Sequence, residues 1–160
     1  MKSILGVLLT VGLIFACAVS AQEAKMSAMP DHVILTPDQV KWEPSEFPGM
    51  SIAVMQGDPS KAGEPFTVWA KLPAGFKFAP HWHPTDENVI VLEGKLGLGM
   101  GDTMDDSGPE AGPGSYARIA KEAHHYAWSK EGAVFAVYAI GPLAFNFVNP
   151  ADDPRPKPAK

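Results

Sequence analysis

The chain has 160 residues, with 18 acidic side chains against 13 lysines and arginines and a formal net charge of −5. This acidic balance, without a cluster of basic residues, makes nucleic acid and anionic membrane surfaces poor binding partners. The length suffices for one domain with a core of its own. The single cysteine excludes a disulfide within the chain, so the fold must rest on packing, helped by any metal that it binds.

The N-terminus has the pattern of a targeting segment. An apolar run at 4–15 is too short to span a bilayer as a stable anchor, and a Val-Ser-Ala site at 19–21 suits cleavage. We therefore predict a signal peptide over residues 1–21 and a periplasmic or secreted mature protein without a transmembrane anchor. The alternative is a lipoprotein anchored through Cys17.

Glycine and proline punctuate the rest of the chain at intervals of about eight to twelve residues, which predicts many short strands joined by turns. No stretch shows a helical period over a useful length. The sequence therefore predicts an all-β protein. Strands are predicted at 33–35, 40–42, 51–56, 66–72, 76–83, 88–92, 95–100, 115–120, 124–128, 133–140 and 145–148.

Two of these strands, 88–92 and 95–100, are predicted to form a hairpin around Glu93 and Gly94. In the second strand, leucine and methionine alternate with glycine. Because successive side chains point to opposite faces, one face is covered by Leu and Met. The glycine face lets another part of the protein approach closely.

The stretch from 75 to 94 contains a candidate metal site. His81 and His83 are two residues apart, so on a strand both imidazoles leave the same face, and Glu87 follows four residues later. Imidazole and carboxylate ligands suit Fe(II), Mn, Ni, Cu or Zn. A third histidine, His124 or His125, would complete a four-ligand set.

Strand alternation decides between these two histidines, because adjacent residues face opposite sides and one alone can point inward. With His124 inward, Tyr126 and Trp128 would crowd the interior. With His125 inward, small side chains share its face and leave room for a substrate. We therefore favour His125. Lys77 and Arg118 could hold an anionic substrate if they faced inward, but an exterior position is the default for strand lysine and arginine.

Two motifs in this region resemble those of the cupin superfamily. Gly75, His81, His83, Glu87 and Gly94 match the first cupin motif at every position. The second motif reads glycine, five residues, Pro-x-Gly, two residues, histidine, three residues, asparagine. Here it is degenerate: Gly114 and His125 are kept, whereas Ala120, Glu122 and Ser129 replace the proline, glycine and asparagine.

The resemblance is to small, single-domain, exported bacterial cupins of the type-2 kind, and it covers about residues 66–147. It implies a double-stranded β-helix, a jelly-roll-like barrel with the metal inside. The expected organisation is a lead with peripheral strands at 22–50, the barrel at 51–149 and a loose tail at 150–160. The ligands it implies for one divalent metal ion are His81, His83, Glu87 and His125.

The expected function is that of a metal-dependent enzyme acting on a small molecule. Dioxygenase or isomerase chemistry at a mononuclear divalent metal is implied, and no separate catalytic residue stands out. The alternative is a non-catalytic protein of the periplasm that binds or senses a small ligand or a metal. The expected partner is a small-molecule ligand, and a homodimer is left open.

Overall fold

The computed structural model describes residues 32–156. Contacts divide the chain into two units, Met1–Ile34 and Leu35–Lys160, and the fold described below belongs to the second. The predicted signal peptide and Cys17 lie outside the described residues. Among the described residues, no helix is both long enough and apolar enough to cross a membrane.

Residues 32–156 form ten strands and two short 3₁₀-helices, Pro37–Gln39 and Pro150–Asp152. The strands are β1 (Glu43–Pro44), β2 (Ser51–Gln56), β3 (Pro65–Leu72), β4 (Phe76–Trp82), β5 (Glu87–Gly94), β6 (Gly97–Met100), β7 (Tyr116–Ile119), β8 (His125–Ser129), β9 (Ala133–Ile140) and β10 (Asn146–Phe147). The strands predicted at 51–56 and 133–140 have these bounds in the structure. The other predictions between 66 and 148 differ by at most two residues at either end.

The strands make two antiparallel sheets, with the orders β1-β2-β3-β9-β5-β7 and β10-β4-β8-β6. Buried side chains of both sheets belong to one hydrophobic cluster, so the core lies between the sheets. This is a double-stranded β-helix, a jelly-roll-like barrel. The fold class predicted from the sequence is confirmed.

Strand β3 shows why these segments form a sheet with one buried face. Phe66, Val68, Ala70 and Leu72 are buried, while the residues between them are more exposed. This period of two places every second side chain in the core. The neighbouring strand β9 pairs with β3 on one side and β5 on the other, and so forms the middle of the larger sheet.

The predicted hairpin between β5 and β6 is wrong, because these strands belong to different sheets. β5 pairs with β7 and β9, whereas β6 pairs with β8. Gly94 is not a turn residue but continues the ladder with β9, opposite Ala133. A Cβ on Gly94 would lie 2.1 Å from the carbonyl oxygen of Gly132. The sequence predicts a turn at this glycine, whereas in the structure it permits a close approach of two backbones as the chain crosses between sheets.

The two strands predicted before residue 43 are also wrong. Residues 33–35 and 40–42 have no regular secondary structure, and the 3₁₀-helix Pro37–Gln39 lies between them. Proline at the first helical position suits the start of such a turn, since its missing N–H has no helical partner there. The short strand β1 follows and pairs with β2.

The C-terminal segment is described up to residue 156, and its looseness from Pro150 onward stays a prediction. It begins with the 3₁₀-helix Pro150–Asp152, and Arg155 then ties it to the barrel. The Arg155 guanidinium contacts Asp153, the Phe145 carbonyl oxygen, the Glu46 carboxylate and the rings of Phe47 and Phe147. Residues 157–160 lie outside the described part of the chain.

Candidate metal centre

Three buried histidines converge at one end of the barrel interior. His81 lies near the end of β4, His83 directly follows that strand, and His125 begins β8. The β4–β8 ladder places His81 opposite His125. Each histidine is at most 4 % exposed, and one ring nitrogen from each lies within 4.8 Å of those of the other two. The i, i+2 spacing and the strand pairing therefore bring the three imidazoles close enough together to hold a metal ion.

Strand alternation separates the two adjacent histidines as the sequence predicts. His125 points into the barrel, whereas the His124 side chain is 40 % exposed and its Nδ1 lies 2.5 Å from Asp102 Oδ1. Tyr126 and Trp128 lie on the outer face with stacked rings, 5.9 Å between centroids. They do not crowd the interior.

The glycines of β6 allow these rings to pack on the outer face, because they have no Cβ to block them. A Cβ on Gly97 would lie 2.0 Å from the Trp128 ring, and one on Gly99 would lie 2.3 Å from the Tyr126 ring. The close neighbour that the Gly-x-Gly pattern predicted is therefore this aromatic pair.

All three imidazoles are oriented by the backbone. The Nδ1 atom of each lies within hydrogen-bonding distance of a carbonyl oxygen, which can only accept, so Nδ1–H donates and Nε2 keeps its lone pair. The pairs are His81 with Ala79 at 2.7 Å, His83 with Ala144 at 2.7 Å and His125 with Ala123 at 3.0 Å. Fixing the tautomer in this way is typical of histidines that bind a metal.

Glu87, at the start of β5, brings a carboxylate to the same point. Its Oε2 lies 3.4 Å from His125 Nε2 and 3.7 Å from His83 Nε2. The Nε2 of His83 is buried and has no hydrogen-bond partner within the described residues. An unpaired buried nitrogen beside a carboxylate fits a divalent cation, which would satisfy both groups. That His81, His83, Glu87 and His125 are the ligands stays a prediction.

The electrostatics of the site favour neutral imidazoles at His81 and His83. Burial, with smaller contributions from the neighbouring His125 and His83, lowers the pKa of His81 from 6.5 to about 2. Burial also lowers the pKa of His83, although Glu87 opposes this change. A neutral imidazole is the form that binds a metal, so the lowered pKa values of His81 and His83 favour the protonation state that binding needs.

The degenerate second motif still forms its turn. The Ala123 N–H donates to the Ala120 carbonyl oxygen at 3.1 Å, and Glu122 has a φ of 61° in the left-handed region that favours glycine. Among the described residues, Glu122 alone is a non-glycine with positive φ. Its N–H donates to the His83 carbonyl oxygen at 2.8 Å. The substituted turn thus connects the two motifs directly.

An apolar cavity of about 360 Å³ adjoins the site. Its wall includes His81, Glu87 and His125, and most of the remainder is aliphatic or aromatic. Wall residues include Val68, Leu72, Val89, Leu98, Phe135 and Val137.

The two basic side chains that could have held an anionic substrate do not line this cavity. Lys77 and Arg118 are exposed and pair with Asp106 and Asp86. The exterior positions predicted for them are confirmed.

Comparison with known families agrees with the fold and the motifs. Residues 30–144 match the family described as the ChrR cupin-like domain. The chain therefore belongs to the cupin superfamily, within the family of ChrR cupin-like domains. Among curated proteins, none is significantly similar to it.

Several solved structures share the barrel at low sequence identity. The polyketide cyclase RemF from Streptomyces resistomycificus is 23 % identical, over 77 % of this chain and 89 % of that one, with a TM-score of 0.61. An acetylacetone dioxygenase from Acinetobacter johnsonii is 20 % identical over 78 % and 82 %, with a TM-score of 0.56. KdgF from Halomonas sp. is 17 % identical over 68 % and 95 %, with a TM-score of 0.53. These likenesses establish the fold.

Proposed function

We propose that this protein is an exported metal-binding cupin that acts on a small molecule at one divalent ion. The residues that would hold the ion are His81, His83, Glu87 and His125. The observation that carries the proposal is the convergence of three oriented imidazoles and a carboxylate at the wall of an apolar cavity. Neither the ligand cluster nor the cavity alone would support action on a small molecule, since a structural metal site needs no cavity and an apolar cavity needs no metal ligands.

Different groups of the chain would hold the ion, orient its ligands and bind the substrate. A divalent ion bound there would supply a Lewis acid or redox centre to a substrate in the cavity. The backbone carbonyls hold the three imidazoles in one tautomer, and burial keeps those of His81 and His83 neutral. The apolar wall binds the body of the substrate and excludes water from the site.

The reaction class that we propose is oxygenase or isomerase chemistry. Two proteins with the same fold support an enzyme, since one is described as a polyketide cyclase and the other as an acetylacetone dioxygenase. The second candidate function is non-catalytic binding or sensing. It is favoured by one observation. Among the described cavity residues, the buried groups able to move a proton are the two lining histidines and Glu87. These are the groups that would hold the ion, so none of them is left to act as a separate acid or base.

Protein purified without a histidine tag tests the proposal. Separate samples would be loaded anaerobically with Fe(II), Mn, Ni, Cu or Zn, and metal content would be measured. Small apolar carbonyl compounds would then be screened for oxygen uptake and for changed products by mass spectrometry. Turnover that depends on metal and is lost in His83→Ala supports the enzyme. Saturable binding without turnover for every metal supports the sensing alternative, and failure to retain any metal contradicts the proposed function.

Localisation is proposed from the sequence alone. We infer export through the signal peptide at 1–21, with lipidation at Cys17 as the alternative. Intact-mass measurement of the mature protein distinguishes the two, because a lipoprotein would begin at a diacylated Cys17.

A further inference from the structure

The polar part of the cavity wall divides into the metal site and its solvent side. Apart from His81, Glu87 and His125, the polar wall residues are Ser45, Glu46 and Ser60. Glu46 and Ser60 are exposed, and the Ser45 hydroxyl is already bonded to the backbone of Phe47 at 3.0 Å. Among the described residues, the deep wall therefore offers a ligand no polar side chain besides those of the metal site.

The charges around the cavity disfavour an anionic ligand. Among the described residues, no lysine or arginine lines the cavity, and the charge contributed at its solvent side is the carboxylate of Glu46. Arg155 lies 3.5 Å from that carboxylate but is itself not part of the wall. A bound ion would therefore supply the positive charge that a ligand in the cavity meets, and the carboxylate of Glu87 would neutralise part of that charge.

We propose that the ligand of this site is a small, uncharged, mainly apolar molecule that presents an oxygen-donor head to the metal. The inference rests on the proposed function and names its substrate class. A volume of about 360 Å³ lies near the lower end of the range of roughly 300–1,000 Å³ typical of ligand pockets, so the molecule is small. Dicarboxylates, sugar acids and phosphorylated compounds are excluded, because their charges or hydroxyls would lie unpaired against Val, Leu and Phe side chains.

Three hydroxamic acids with one chelating head separate the effects of body and charge. Acetohydroxamic acid has no body, benzohydroxamic acid has an apolar ring, and 4-carboxybenzohydroxamic acid has the same ring with a carboxylate. Calorimetric titration of the zinc-loaded protein measures each dissociation constant. We expect benzohydroxamic acid to bind at least about tenfold more tightly than either of the others. Acetohydroxamic acid buries no apolar ring, and the carboxylate of the third probe would lie unpaired in the apolar cavity.

A matched pair of isosteric variants places the ring in the cavity. Val89 is 2 % exposed and lines the wall two residues from Glu87, whereas Val54 is 53 % exposed on β2 and does not line it. Val89→Thr adds a hydroxyl to the wall and should weaken benzohydroxamic acid about fivefold or more, with acetohydroxamic acid unchanged. Val54→Thr should change neither dissociation constant.

The outcomes distinguish this inference from the proposed function. Protein that retains none of the five metals overturns the proposed function, and this inference with it; if another metal is retained in place of zinc, the titrations use that metal. Zinc-loaded protein that binds the carboxylated probe as tightly as benzohydroxamic acid, or gains nothing from the ring over acetohydroxamic acid, overturns the inference alone. Equal effects of Val89→Thr and Val54→Thr would also overturn it, since the ring would then lie outside the cavity.

Discussion

Replacing Glu122 by glycine should stabilise the protein. The residue is exposed, and its φ of 61° lies in the left-handed region. An L-residue there costs about 1–2 kcal/mol, whereas glycine adds roughly 0.5–1 kcal/mol of chain entropy to the cost of folding. Glu122→Gly should therefore raise the free energy of unfolding by about 0.5–1 kcal/mol. For a domain of this size the melting temperature should rise by about 2–5 °C.

Urea denaturation of the metal-free protein is the assay, because it removes any effect on metal binding. The midpoint should rise with an unchanged m-value. Gly114→Ala is the reciprocal control: its φ is 84° and a Cβ there would meet nothing within 4 Å, so it adds backbone strain alone. It should lower the midpoint. Glu122→Ala removes the carboxylate but keeps the Cβ, and should not stabilise. If Glu122→Gly and Glu122→Ala shift the midpoint equally, the backbone argument is refuted.

Three further variants test the pH response, the outer aromatic pair and the tail. In metal-free protein the unfolded chain takes up a proton below about pH 6.5 that folded His81 does not. The free energy of unfolding should therefore fall on acidification, by up to about 1.4 kcal/mol per pH unit for this group, as followed by urea denaturation from pH 7 to 5. Gly97→Ala should destabilise by about 1–3 kcal/mol, because the Trp128 ring must move. Arg155→Ala should destabilise by about 1–2 kcal/mol through lost ion pairs and cation–π contacts.

Each of these three predictions has a matched control. His81→Asn removes the titrating ring and should flatten the pH dependence; an unchanged slope would contradict the first. Gly112→Ala adds a Cβ with nothing within 4 Å and should be nearly neutral. Equal effects of Gly112→Ala and Gly97→Ala would contradict the second. Lys61→Ala removes an exposed pair with Glu64, and its cost should stay below that of Arg155→Ala.

Most of the strands could be predicted from the sequence because runs of β-branched, aromatic and other apolar residues lie between glycines and prolines. β9 is an example: its run of Val, Ala, Phe and Tyr predicted both of its ends. The pairing of strands could not be predicted in the same way, since it depends on which segments meet in space. Gly94 illustrates this, because a turn and a close backbone approach both select glycine.

The candidate site was predictable where local spacing determines side-chain direction. The i, i+2 spacing brought His81 and His83 together, and alternation put His125 inside. The groups that orient the imidazoles left no signal, because they are backbone carbonyls. The acceptor for His83 is the carbonyl of Ala144, 61 residues away in sequence. The positive φ of Glu122 was also beyond the sequence, which offers only the expectation that glycine is favoured there.

Metal content in two adjacent variants tests the central claim most directly. His125 and His124 are neighbours in sequence, but one is buried at the site and the other lies partly exposed beside Asp102. Elemental analysis of tag-free protein should find about one divalent ion per chain in the wild type and in His124→Ala, and little in His125→Ala. Full metal retention in His125→Ala, or loss of metal in His124→Ala, would contradict the account.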